Sequence, residues 1–204
     1  MADGGTAKTR LLEAALDHVT ARGVGDVSLR QLAAALDTSH RMLIFHFGSK
    51  EGLLTELVRH IERRERLTIA ALDGAPTSSP GDQMRRAWSR WADPGQWPKE
   101  RLFFEVYVSA LQGHPHALPL LDEAIRAWVE PMTALAMTHG LTRADATDEA
   151  RLALAVVRGL LLDLLASGDR EAVDAAMERH IQGFEDRVRM AQTRASGPEA
   201  ELRS

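Results

Sequence analysis

Cysteine and asparagine are both absent from the 204 residues, and tyrosine occurs once. Without cysteine there is no disulfide scaffold, no iron–sulfur cluster, no thiol catalysis and no cysteine-held zinc. No apolar run approaches the roughly 20 residues that a membrane-spanning helix needs. Residues Met1 to Arg10 are polar, with no apolar leader, so the expected location is the cytoplasm, away from any membrane. Stretches of alternating Val, Ile and Tyr are missing too, which leaves no strand to assign. What is present is close to average globular usage, 45% apolar and 26% charged, so a packed core is expected. A chain of this length makes one or two domains and buries about 70% of its unfolded surface, enough to enclose a ligand. The net charge of −4 does not mark a nucleic-acid binder, but its distribution is uneven. Residues 1–66 carry ten Lys/Arg against nine Asp/Glu, whereas 67–204 carry fifteen against twenty. Only the first part has the sign that suits phosphate.

Helical periodicity runs through most of the chain. Leu11, Leu12, Ala15, Leu16 and Val19 recur at a 3.6-residue spacing, with Thr6 or Thr9 as candidate caps and Gly23 as a stop. Ser28 caps a short segment with Leu29, Leu32, Ala33 and Leu36 on one side. Ser39 caps another that holds Met42, Leu43 and Phe47, and the two meet across Leu36-Asp37-Thr38. Ser49 opens a long helix reaching Leu72. The Gly, Pro and Ser content of Asp73 to Gly81 predicts a linker. Further helices are predicted at about 82–92, 98–112, 116–138, 146–167 and 169–193, with a frayed tail from Thr193 to Ser204.

Two short helices joined by a three-residue turn, behind a longer supporting helix, have the dimensions of a helix-turn-helix; the plainer alternative is a helical hairpin in a core. A groove-entering helix must be apolar inside and expose its N-terminal half. Ser39, His40, Arg41, Met42 and Phe45 are placed to point outward, Leu43 and Phe47 inward. Asp37 occupies a tight turn, where Asp tolerates left-handed backbone better than most residues. The run Thr9-Arg10, Leu12, Ala14-Ala15, Gly23, Val27-Ser28-Leu29, Leu32-Ala33, Ser39, Leu43, His46-Phe47, Ser49-Lys50-Glu51 and Leu53-Leu54 resembles the N-terminal domain of TetR-family transcriptional regulators. The match spans about a quarter of the chain. The resemblance implies an all-α protein, with a three-helix helix-turn-helix DNA-binding domain over 1–50 and a helical effector-binding and dimerisation domain over 51–204. It also implies that Ser28 and Lys50 bind phosphate, that Ser39 caps the recognition helix, that His40, Arg41, Met42 and Phe45 face DNA, and that His46 lies near the backbone. Three positions depart from the family pattern: Asp37 stands where glycine is usual, Arg41 where a small residue is, and Ile44 where tyrosine is.

Trp88, Trp91, Trp97, Phe103, Phe104, Tyr107 and Trp128 fall within 41 residues. They are either helical core or the lining of an apolar cavity; the resemblance favours an effector site built from Trp88, Trp91, Phe103, Phe104, Tyr107, Trp128 and Met132. Arg101, Glu105 and His139 are candidate polar contacts. His114-Pro-His116 lacks a carboxylate or cysteine at ligand spacing and reads as surface loop, so no metal or other cofactor is expected. There is no nucleophile elbow, P-loop or His-Glu-x-x-His helix from which to begin an enzyme reading. The segment Leu152 to Leu165 is apolar on nearly every side and has more than one surface to bury. With the helix that follows, it predicts a homodimer through Val157, Leu161, Leu164, Met177 and Ile181, since a two-fold protein suits a palindromic operator. The functional expectation is a repressor that leaves double-stranded DNA when a small-molecule effector binds. The alternative, motivated by Asp37, Ile44 and the near-neutral head, is a helical ligand- or protein-binding module that does not read DNA.

Overall fold

The computed structural model describes residues 3–22, 28–72 and 79–195. Among them are nine α-helices and no strand: α1 Asp3–Arg22, α2 Leu29–Ala35, α3 His40–Phe47, α4 Lys50–Leu72, α5 Pro80–Trp91, α6 Trp97–Leu111, α7 Leu118–Thr138, α8 Arg143–Ser167 and α9 Arg170–Ala195. The chain divides into two compact units. The first takes residues 1–67 and 95–123; the second takes 68–94 and 124–204.

Local chemistry sets most of the helix ends. Ser79 Oγ accepts from Asp82 N at 3.0 Å and Pro80 occupies the first helical position, where its missing N–H costs nothing. Helix α5 therefore begins inside the stretch expected to be linker; residues 73–78 of that stretch lie outside the described residues. Thr142 Oγ1 accepts from Asp145 N at 3.2 Å and starts α8 three residues earlier than the apolar pattern suggests. The first helix is already under way at Asp3, so neither Thr6 nor Thr9 caps it, and Gly23 lies outside the described residues. Helix α9 continues to Ala195, past the start of the expected fraying.

In the first unit, α1 packs on α2 and α6, and α2 packs on α3. The core is drawn from Leu12, Ala15, Leu16 and Val19 of α1, Leu32 of α2, Leu43 of α3, Leu53, Leu57 and Val58 of α4, and Leu102 and Val106 of α6, all buried. Lys8 pins α1 to α4 through Glu56 at 2.9 Å, and its ammonium lies 5.6 Å from the centre of the Phe47 ring. In the second unit, α9 is the common partner of α5 and α8. Its buried stripe Val173, Met177, Ile181, Phe184 and Val188 keeps the 3.6-residue spacing. Ala146, Ala150, Ala153, Leu161 and Leu164 make the matching buried stripe of α8. Arg85 of α5 ties to α9 with two bonds to Glu178 (2.8 and 2.7 Å) and two to Glu185 (3.1 and 3.3 Å).

Candidate nucleic-acid interface and effector site

The α2–α3 pair is fixed by caps at each end. Ser28 Oγ accepts from Gln31 N at 3.2 Å while Gln31 Oε1 accepts from Ser28 N at 3.0 Å, a reciprocal capping box. At the other end of α2, Thr38 N donates to Ala33 O at 3.0 Å and Asp37 N to Ala34 O at 3.4 Å. That pair of bonds is a Schellman motif, which requires the residue at Asp37 to be left-handed. Asp37 has φ 49°, alone among the described non-glycine residues in adopting a positive value. Ser39 Oγ then accepts from Met42 N at 3.1 Å and opens α3.

Helix α3 is two-sided. Leu43 and Phe47 are buried, while His40, Arg41, Met42, Ile44 and Phe45 face solvent, Phe45 with 78% of its surface exposed. Ser28 and Ser39 are also exposed, so the hydroxyls that cap α2 and α3 lie at the surface. His46 is half-buried between the rings of Phe45 and Phe47, and its Nε2 is enclosed without a partner. That nitrogen is therefore not presented at the surface. Gly48, at φ 76°, ends α3, and Ser49 Oγ accepts from Gly52 N at 3.0 Å to begin α4. A side chain at Gly52 would place its first carbon 2.1 Å from Phe47 O, so the close approach of α3 to α4 depends on a residue without one. Lys50 is half-buried in the first turn of α4.

The aromatic residues do not form one group within either unit. Phe103, Phe104 and Tyr107 belong to the first unit. Phe103 is buried, stacks on Tyr107 at 5.4 Å between centroids, and meets Phe104 edge to face at 5.3 Å. Trp88, Trp91, Trp128 and Met132 belong to the second unit. Trp91 and Trp128 are half-buried and pack edge to face at 5.4 Å. Trp88 is buried, and its Nε1 donates to Asp174 Oδ1 at 2.5 Å. Asp174 in turn receives Arg170 Nε at 2.8 Å, so Trp88 is held as a strut between α5 and α9. Arg101 and Glu105 face solvent, with the Arg101 guanidinium 6.0 Å from the Trp97 ring.

Sequence reasoning passed over several polar groups. Gln83 Oε1 and Arg86 Nη2 on α5 and Thr133 Oγ1 on α7 are buried without hydrogen-bond partners. His139, already a candidate polar contact from the sequence, has its pKa depressed by burial, and its Nε2 is likewise unpartnered. In the first unit, burial and the nearby Glu62 and Glu65 of α4 push the Glu100 carboxyl of α6 up to about 8. No signal in the sequence pairs these glutamates, whose charges act on one another only in the folded chain.

The residues assigned to a dimer contact are mostly occupied already. Leu161, Leu164, Met177 and Ile181 are buried within the single chain, and Val157 is half-buried. The exposed apolar side of α8 is a different stripe, Leu152, Ala155, Gly159, Leu162 and Ala166, with Leu152 and Leu162 about half exposed.

Residues 11–57 match the family model described as bacterial regulatory proteins, tetR family. The whole fold is similar to solved structures. A transcriptional regulator from Rhodococcus sp. Rha1 is 20% identical, with 87% of this chain and 95% of that one aligned at a TM-score of 0.72. A TetR transcriptional regulator from Legionella pneumophila is 17% identical over 85% and 94% of the two chains, at 0.67. A protein from Saccharomonospora viridis, solved in complex with choline, is 22% identical over 89% and 96%, at 0.66. No curated protein matches the sequence at a significant level. Among the described residues, no helix is long and apolar enough to cross a membrane, and no group of three or more His, Asp or Glu is arranged to hold a metal ion.

Proposed function

We propose that this chain, whose residues 11–57 match the tetR family of bacterial regulatory proteins, is a DNA-binding transcription regulator of that family, a repressor that a small-molecule effector releases from a two-fold operator. The observation that carries the reading is the two-sided α3: buried Leu43 and Phe47 hold it, while Arg41, Met42 and Phe45 stand out from its first two turns. Arg41 has the donors for a bidentate guanine contact, and Met42 and Phe45 are apolar partners for a thymine methyl. Ser28, Ser39 and Lys50 sit at three helix starts, where backbone N–H groups and a cation favour phosphate. His40 is exposed in the first turn of α3 and lies within the same face.

Two copies would present two recognition helices to successive major grooves about 34–36 Å apart. The exposed stripe of α8, Leu152 through Ala166, is the apolar surface offered to a second copy. Val157 would sit at its margin, and Leu161, Leu164, Met177 and Ile181 would back it from inside. The effector site would draw on Phe104 and Tyr107 of the first unit, which are only half-buried, with Phe103 as its fixed wall. The choline held by the Saccharomonospora protein supports a small molecule as the controlling ligand. Helix α4 begins beside the recognition helix and runs on into the second unit, which makes it the element to carry the change. The effector's whole influence equals its differential affinity for the DNA-bound and free states.

A gel-shift assay with the DNA flanking the protein's own gene tests this reading. Arg41→Ala is expected to lose about 1–3 kcal/mol on the cognate site and to relax preference at one position per half-site. Lys50→Ala is expected to weaken all sequences alike and to flatten the salt dependence by about one ion per subunit. Identical sequence profiles and salt slopes for the two variants would refute the assignment of roles, and failure to shift any flanking DNA would favour a module that does not read DNA.

A further inference from the structure

Lys8 of α1, Glu56 and Arg59 of α4 and Glu123 of α7, all in the first unit, are joined by an unbroken line of ion pairs. Lys8 Nζ donates to Glu56 Oε2 at 2.9 Å, and Arg59 Nη1 donates to Glu56 Oε1 at 3.1 Å. The same guanidinium reaches α7, where its Nε and Nη2 donate to the two oxygens of Glu123 at 2.8 and 3.2 Å. Glu56 and Arg59 share a face of α4 because they stand three residues apart. At the far end, the Lys8 ammonium lies 5.6 Å from the centre of the Phe47 ring, the buried residue that closes the recognition helix α3. Contact therefore runs from α3 through α1 and α4 to α7.

Stability alone does not account for this line. Lys8, Glu56 and Arg59 are half-buried and Glu123 is exposed, a setting in which single ion pairs contribute little. What sets the group apart is sharing: one carboxylate, Glu56, serves two cations, and one guanidinium, Arg59, serves two carboxylates. While Glu123 occupies the fork of Arg59, a single bond is left for Glu56, and the other Glu56 oxygen belongs to Lys8. With Glu123 withdrawn, the fork is free to turn onto Glu56, neutralise it and weaken its hold on Lys8. Lys8 is the cation set against the Phe47 ring, so that loss reaches α3. The place of Glu123 is itself fixed from beyond the first unit. The next residue, Ala124, belongs to the second unit, and its carbonyl accepts from Arg158 Nη2 of α8 at 2.9 Å.

We propose that Glu123 is a positioning residue for DNA reading. By occupying Arg59 it keeps Glu56 on Lys8 and Lys8 on Phe47, so that the place of α7 is felt at the seat of α3. This role rests on the reading of α3 as the DNA-reading helix and adds a route by which the remainder of the chain bears on it.

Hydrogen–deuterium exchange of the full chain, followed by mass spectrometry on peptides that cover α1 to α4, tests the relay without operator or effector. Glu123→Gln keeps the shape of the side chain and removes its charge; it is expected to speed exchange in α3 by about two- to fivefold, the size of one surface ion pair. Arg59→Gln breaks the same bond with a different consequence, because Glu56 is then left wholly to Lys8, and α3 should exchange no faster than in wild type. In a Lys8→Met background, Glu123→Gln should add nothing at α3. A bond that only tied α4 to α7 would make the two α4–α7 variants alike. The proposal is overturned if Glu123→Gln leaves α3 at the wild-type rate, if Arg59→Gln speeds α3 too, if the effect survives Lys8→Met, or if exchange rises equally across α1, α2 and α3. A gel shift on the DNA flanking the protein's own gene separates the relay from the reading beneath it. Exchange as expected, with no DNA shifted, would retain the relay and sink the DNA-reading role; DNA bound by a chain whose α3 ignores Glu123→Gln would do the reverse.

Discussion

Asp37 carries two burdens at once: a left-handed backbone at φ 49° and a negative charge at the turn before the recognition helix. The Schellman bonds of Ala33 and Ala34 demand that geometry, and glycine adopts it without the steric cost that an L side chain meets. Asp37→Gly is expected to raise stability by about 0.5–1 kcal/mol in urea unfolding and to tighten DNA binding at low salt. A loss of stability would show that the Asp37 carboxylate makes a contact worth more than the backbone strain. Glu100 makes a second residue-scale prediction through its titration. A glutamate free of the fold titrates near 4.5, and Glu100 in the fold near 8, so the folded state binds this proton more tightly. Its contribution to stability is present at acid pH and is lost as pH rises between those values. Glu100→Gln should therefore gain on the order of 4 kcal/mol over wild type at pH 8 and almost nothing at pH 4, read from paired denaturant melts. A difference that is the same at both pH values would mean Glu100 is not titrating as described.

Elements whose signals are local were legible in the sequence. Ser28, Ser39 and Ser49 each cap the helix that follows, and Leu43 and Phe47 point inward as the period requires. Thr142 was missed as a cap because the apolar pattern of α8 begins four residues later, at Ala146. The more instructive gap is α8 itself. An apolar helix with little asymmetry contains two candidate stripes, and periodicity cannot say which of them the chain's own α9 takes. Packing buries Leu161 and Leu164 within the chain and leaves Leu152 and Leu162 outside. The two leucines Leu162 and Leu164 consequently should behave oppositely. Leu162→Asp is expected to yield a folded monomer by light scattering and circular dichroism, since the charge meets water once the copies part. Leu164→Asp buries an unpaired carboxylate at a cost of several kcal/mol and is expected to unfold the second unit. A folded dimer of Leu162→Asp would place the two-fold contact on another surface.

At the scale of the molecule, the helical architecture and the short capped pair α2–α3 followed from spacing and caps, because both are written in neighbouring residues, whereas a meeting with DNA was implied by the family resemblance. A ligand site is not legible in that way, because it depends on residues far apart in sequence. Trp88 illustrates the difference: composition groups it with the other tryptophans, whereas its Nε1 bond to Asp174 makes it a strut of the α5–α9 packing. Glu62, Glu65 and Glu100 show the converse, three glutamates whose charges reach one another only in the folded chain. The central claim is that two copies of α3 read a two-fold DNA site, and nucleotide-resolution footprinting on the DNA flanking the protein's own gene measures it directly. Two protected half-sites related by a two-fold axis, centred about 34–36 Å apart, with one guanine contact per half-site that disappears in Arg41→Ala, are the predicted result. Protection no stronger on that DNA than on unrelated sequence, or a single asymmetric footprint unchanged by Arg41→Ala, would contradict it.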